Sequence, residues 1–260
     1  MKHTDLKQFK QRSEKISCLT AYDASFAKLI DSCGVDLILV GDSLGMVVQG
    51  GENTCSVTMS EMVYHTKAVA RVCEKALIIA DMPYQSYDDL SAALENAKQL
   101  ISAGAQMVKL EGGTERQEVI QILVANEIPV CGHLGLQPQK VKKASDYKIQ
   151  GKDKNSAEII IEDALLLESL GVSTLVLECV PSSLAKLVSK QLSIPTIGIG
   201  AGKYCDGQVL VCFDMLGITQ GKLPRFVRDF TVDTNGISMA IKAFVRAVKN
   251  QSFPSEKESY

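Results

Sequence analysis

The sequence predicts a (β/α)8 barrel of the TIM type, an α/β fold formed as a single domain over residues 1–260. Three observations carry that expectation. Eight short runs rich in Val, Ile and Leu recur along the chain, with amphipathic segments between them. Each run is nearly continuous in apolar residues instead of alternating, the pattern of strands covered on both faces in a parallel sheet. The competing doubly wound sheet needs G-x-G-x-x-G after its first strand, but the first run leads into AYDASFAKL, which contains no glycine. GIGAG at 198–202 comes late and reads as a tight strand-to-loop turn.

In chain order, the first run is Ile16–Ala21, followed by a helix over Ala24–Cys33 whose apolar Phe26, Ala27, Leu29 and Ile30 share a face. The second run, Val35–Gly41, leads into a long connection, Ser43–Met59, and then a helix over Ser60–Val72. Leu77–Asp81 is the third run, and a helix over Asp88–Ala103 precedes the fourth, Gln106–Glu111. Pro129–His133 is the fifth, followed by a second long connection, Leu134–Ser156, and a helix over Ala157–Leu170. The last three runs are Thr174–Glu178, Pro195–Gly200 and Gln208–Asp214. A helix handing over to a strand through glycine recurs at Gly34, Gly104 and Gly171. The weakest unit lies between Gly202 and Gln208, where the helix is missing or very short. The final NQSFPSEKESY is a polar tail over about 250–260, expected to fray.

Composition narrows the function classes. The 260 residues are 46% hydrophobic and 22% charged, ordinary globular usage that excludes a disordered or fibrous chain. A net charge of −2 offers no electrostatic reason to expect nucleic acid or an anionic membrane as partner. No apolar run approaches the roughly 18 residues of a membrane span. The charged N-terminus MKHTDLKQFKQRSEK lacks the apolar core of a secretory signal. None of the eight cysteines forms a C-x-x-C pair, and Cys18, Cys131, Cys179 and Cys212 sit inside apolar runs. Buried reduced thiols are expected, and with them a cytoplasmic location.

The chemistry concentrates where the runs end. Asp42, Asp81, Glu111, His133 and Glu178 stand where apolar runs stop, and a barrel gathers those strand ends at one mouth. A lone strand-end carboxylate is as readily a helix cap. Three carboxylates from successive strands repel one another unless a cation intervenes. Oxygen ligands without paired His or Cys favour Mg2+, or Mn2+, over zinc, so Asp42, Asp81 and Glu111 are the candidate metal ligands. Lys109, two residues before Glu111, faces the same side of its strand. It either neutralises the carboxylates or binds a substrate's oxygens. Apolar neighbours raise a carboxylate's pKa, which suits a general base, so Glu178 is a candidate proton acceptor; the alternative is a salt bridge to a barrel lysine. His133 is either a substrate contact or a barrel histidine with its own partners. Ser43 brings a hydroxyl and a backbone N–H to the mouth. The lysines of Leu134–Ser156 read as a solvated surface or an anion-steering loop.

The stretches TAYDASFAKL (20–29), LVGDSLGMVVQG (39–50), EMVYHTKAVAR (61–71), ADMPYQSY (80–87), AGAQMVKLEGG (103–113), PVCGHLGLQPQ (129–139), LVLECVP (175–181), IPTIGIGAG (194–202) and DGQVLVCFDMLG (206–217) closely resemble the ketopantoate hydroxymethyltransferase family. The resemblance covers nearly the whole chain. It implies a (β/α)8 barrel that transfers a hydroxymethyl group from 5,10-methylenetetrahydrofolate to 3-methyl-2-oxobutanoate, giving 2-dehydropantoate on the route to pantothenate and coenzyme A. It implies Mg2+ on Asp42, Asp81 and Glu111, a Mg-stabilised enolate, keto-acid contacts at Asp42, Ser43, Asp81 and Lys109, and Glu178 as proton acceptor. It also implies a large homo-oligomer, typically a decamer. Cys55-Ser56-Val57-Thr58 departs from the Leu-Pro that often precedes Val-Thr in the family, at a loop away from the proposed ligands. Two other readings keep the same barrel: a metal-dependent lyase or aldolase of 2-oxo acids, and a non-catalytic scaffold.

Overall fold

The computed structural model describes residues 2–141 and 147–260. Eight strands form: β1 (Ile16–Thr20), β2 (Leu37–Val40), β3 (Leu77–Asp81), β4 (Met107–Glu111), β5 (Val130–Gly135), β6 (Thr174–Glu178), β7 (Thr196–Ile199) and β8 (Gly207–Leu210). They pair in sequence order, and β8 returns to β1 in parallel register, Ile16 opposite Gly207, closing the barrel. The expected TIM barrel is therefore the fold.

Closure sorts each strand's residues onto two faces, because side chains alternate along a strand. Ile16, Cys18, Leu37, Leu39, Leu77, Ile79, Met107, Cys131, Val176, Ile197 and Val209 fill the interior, with Leu6 of α1 (Leu6–Gln11) among them. The Lys10 ammonium of that helix donates to the carbonyls of Ser189 and Ile194 at 2.6 and 3.0 Å and pairs with Asp206 at 2.9 Å, tying it across the bottom. Outward positions such as Leu19, Ile38, Ala80, Leu110 and Leu175 belong to the layer between strands and helices.

The helices of that layer are α2 (Ala24–Ser32), α4 (Met59–Ala70), α5 (Leu90–Ser102), α6 (Gln117–Ala125), α7 (Lys154–Ser169), α8 (Ser182–Gln191) and α10 (Ile237–Lys249), with short α3 (Leu44–Val47) and α9 (Cys212–Met215) in loops. Asp23, Asp89 and Asp153 cap α2, α5 and α7 by accepting from backbone N–H groups, and Thr58 and Glu61 form a capping box on α4. Gly104 shows why helices hand over through glycine. Its φ is +108°, and a Cβ there would lie 2.4 Å from the Ala70 Cβ.

Two sequence expectations change. The run Gln208–Asp214 is strand only to Leu210; Cys212–Met215 turns into α9, with the Cys212 N–H donating to the Thr20 hydroxyl at 3.0 Å. The tail is not frayed. Phe253 is buried against Phe230 and Phe244, and Arg228 grips both oxygens of Glu258 at 2.6 Å. Composition hid this because an apolar anchor and a bidentate ion pair hold an otherwise polar segment. The short connection before β8 stands as expected: residues 200–206 hold turns only, and α10 packs against β1 instead. Cys18, Cys131, Cys179 and Cys212 are buried. Residues 142–146 of the lysine-bearing connection, including Lys142 and Lys143, lie outside the described residues.

Candidate active site

The alternation that fills the barrel also builds its mouth. The inward positions of β3 run Leu77, Ile79, Asp81; those of β4 run Met107, Lys109, Glu111; those of β5 include Cys131 and His133; those of β6 include Val176 and Glu178. Apolar side chains occupy the lower layers and ionisable ones the top. Register then makes neighbours of them: Asp81 lies opposite Lys109, Glu111 opposite His133, and Gly135 opposite Glu178.

Lys109 donates to Asp81 Oδ1 at 2.6 Å, with both side chains buried. Asp42 stands just past the end of β2, and its backbone N–H donates to Asp81 Oδ2 at 3.1 Å. A Cβ on Gly41 would lie 2.8 Å from Ser43 Oγ and 3.4 Å from Asp81 Oδ2, so glycine lets Ser43 and Asp81 share one corner. The Ser43 hydroxyl also pairs with the Tyr22 hydroxyl at 2.9 Å. His133 sits between two carboxylates. Its Nδ1 is 3.3 Å from Glu111 and its Nε2 3.2 Å from Glu178, ion-pair distances without hydrogen-bond alignment. Glu178 thus meets an imidazole and not the barrel lysine considered from sequence.

The electrostatics follow from burial and proximity. Burial, then the nearby Asp81 and Glu111 carboxylates, hold the Asp42 pKa well above the ordinary carboxylate value. For Glu111, burial pushes the pKa up, but His133, Lys109 and a backbone N–H outweigh it and the net shift is down. Burial and the Lys109 charge would lower the His133 pKa, yet Glu111 and Glu178 prevail and push it up to about 9.

The structure therefore brings Asp42, Ser43, Asp81, Lys109, Glu111, His133 and Glu178 into one connected mouth. Among the described residues, no three His, Cys, Asp or Glu side chains form a ready-made metal cage. Side chains that sequence reading missed fill the gaps. Gln139 Nε2 donates to Asp42 Oδ2 at 2.8 Å and to the Met82 carbonyl at 2.9 Å, and the Tyr87 hydroxyl donates to Gln139 Oε1. The Tyr147 hydroxyl touches Met46 Sδ at 3.9 Å, so the two long connections meet. Burial, followed by the charges of Glu178, Glu111 and Asp42, pushes the Tyr147 pKa up to about 12. The available signal was the polar content of ADMPYQSY and GLQPQ, each just beyond a strand end.

A closed parallel barrel with a buried acid–lysine–imidazole network at the C-terminal ends of its strands defines the class, a TIM-barrel enzyme. Solved structures share the fold at low identity. Phosphonopyruvate hydrolase, in a complex with oxalate and Mg++, superposes with TM-score 0.62 at 13% identity, covering 81% of each chain. 2,3-Dimethylmalate lyase, a PEP mutase/isocitrate lyase superfamily member, gives TM-score 0.60 at 15% identity, covering 83% of this chain and 82% of that one. The chain belongs to the ketopantoate hydroxymethyltransferase family, whose model matches residues 1–256. Relatives named 3-methyl-2-oxobutanoate hydroxymethyltransferase include that of Ruthia magnifica subsp. Calyptogena magnifica, 61% identical over 98% of both chains. That of Marinobacter nauticus is 51% identical over 98% of this chain and 97% of its own length. Among the described residues no helix is long and apolar enough to cross a membrane.

Proposed function

We propose that this chain is a 3-methyl-2-oxobutanoate hydroxymethyltransferase, moving a hydroxymethyl group from 5,10-methylenetetrahydrofolate to the keto acid to give 2-dehydropantoate. The observation that carries the reading is the strand-end network seated within the family's motifs.

Mg2+ fits this mouth on the chemistry of its donors. Asp42, Asp81 and Glu111 are buried carboxylates, a set of hard oxygen donors of the kind Mg2+ prefers. These three residues would hold the ion, which when bound withdraws electron density from a coordinated carbonyl and so acidifies the adjacent C–H.

The remaining steps belong to side chains. Lys109, an ammonium buried beside Asp81, offsets the charge of the bound keto acid. Ser43 offers its hydroxyl and backbone N–H in the same corner. Glu178 takes the C3 proton onto its carboxylate. Its side chain is 12% exposed against 2–6% for Glu111, His133, Asp81 and Lys109, so it is the group best reached by an incoming substrate. His133, with its Nε2 3.2 Å from Glu178, positions that side chain from below. The deprotonated carbon then attacks the folate-borne methylene, and water supplies the hydroxyl oxygen as tetrahydrofolate leaves.

The same reading makes the chain one domain, active as a cytoplasmic homo-oligomer of about ten copies, in line with the family resemblance. The test is a transferase assay with both substrates, with and without Mg2+. Formation of 2-dehydropantoate that stops on chelation is expected. Folate-independent cleavage of a 2-oxo acid would overturn the reading.

A further inference from the structure

We propose that Gln139 is a positioning residue whose buried amide braces Asp42 against the end of β3 while its backbone N–H braces Glu111, fixing the orientation of two carboxylates that would serve a divalent cation. The inference rests on the metal reading above and adds a residue to it.

Gln139 is 4% exposed, although it lies on a single 3-10 turn, Pro138–Lys140, in the connection after β5, and glutamine is normally solvated. Its side chain bonds through both ends. Nε2 donates to Asp42 Oδ2 and to the Met82 carbonyl, at 2.8 and 2.9 Å, and Oε1 accepts from the Tyr87 hydroxyl. The Met82 carbonyl can only accept, so the amide has one workable orientation. The Gln139 backbone N–H donates to Glu111 Oε2 at 3.1 Å, and the Tyr87 hydroxyl accepts from the Glu111 N–H at 3.3 Å. One residue of the connection after β5 thus ties the turn after β2 to the ends of β3 and β4.

The brace engages Asp42 through Oδ2, and Glu111 through the oxygen opposite the one facing His133. Without the side-chain amide, Asp42 loses the donor that fixes its orientation and would turn away from Glu111, which keeps the Gln139 backbone N–H. Mg2+ demands near-ideal octahedral geometry, so its affinity is sensitive to that rotation. A residue serving only stability would leave cation affinity unchanged once the variant has folded.

The experiment titrates Mg2+ alone into the wild-type chain, Gln139→Leu and Tyr87→Phe by calorimetry, with folding checked by circular dichroism. Gln139→Leu is expected to bind Mg2+ roughly 10–100-fold more weakly, the usual cost of losing a partner behind a metal ligand. Tyr87→Phe, which frees Oε1 but keeps both amide donors, is expected to weaken binding less, in the same direction. The Mg2+ concentration for half-maximal turnover should shift by the same factors. A folded Gln139→Leu with wild-type or tighter affinity overturns the proposal. If Gln139→Leu does not fold, unchanged affinity in Tyr87→Phe overturns it. A wild-type chain that takes up no Mg2+ overturns the metal reading and this inference together, whereas wild-type uptake with unaltered variants overturns the brace alone.

Discussion

Lys109 and Asp81 form a buried pair at 2.6 Å, and removing one member strands the other's charge where water cannot reach it. Lys109→Met in metal-free protein is therefore expected to lose about 3–5 kcal/mol of stability, read as a lower urea midpoint. An unchanged midpoint would mean that Asp81 is solvated or otherwise compensated. Glu178 makes a different prediction because its role is a proton transfer and its side chain reaches the opening. Glu178→Gln should fold like the wild type yet slow deuterium exchange at C3 of 3-methyl-2-oxobutanoate, measured without folate, by about 10²–10⁴. Exchange at the wild-type rate would remove Glu178 from the mechanism. Most of these residues were legible because each ends an apolar run. Gln139 and Tyr87 were not, since nothing local distinguishes a loop glutamine or tyrosine that faces solvent from one that crosses the mouth.

At the scale of elements, the handover from helix to strand is the most demanding local geometry. Gly104 combines φ +108° with no room for a Cβ against Ala70. Gly104→Ala is expected to cost about 1–3 kcal/mol, checked by chemical denaturation; a neutral effect would show that α4 and α5 adjust freely there. The strands were readable because barrel strands are apolar on both faces, which concentrates Val, Ile and Leu within a few residues. The end of β8 was not. QVLVCFD is as apolar as a strand, and only the Thr20 hydroxyl of β1, far away in sequence, receives the Cys212 N–H and marks where the ladder gives way to a helical turn. Hydrophobicity reports burial, and a short buried helix satisfies it as well as a strand does.

Over the whole molecule, the tail is fastened to the barrel by charge as well as packing. Arg228, the Ser255 N–H and the Ser255 hydroxyl outweigh the effect of burial and hold the Glu258 pKa below its ordinary value. A carboxyl with a lowered folded-state pKa contributes stability that is present above its unfolded pKa and lost as pH falls through the folded one. The tail is thus expected to be held at neutral pH and to loosen under acid, seen as lower amide protection factors over residues 252–260, each taken against the intrinsic exchange rate at that pH. Arg228→Lys, which cannot form the two-pronged contact, should loosen it already at neutral pH. Equal protection in acid and at neutrality would show that Phe253 alone suffices as the anchor. The strand count, the barrel class and the strand-end acids were determined by the sequence itself, because alternation and burial are local consequences of which residues follow one another. Only the tertiary structure decided that His133 lies between Glu111 and Glu178, that Gln139 reaches Asp42, and that the polar tail is docked. Those contacts join segments as many as 97 residues apart, and their geometry exists only once the barrel has closed.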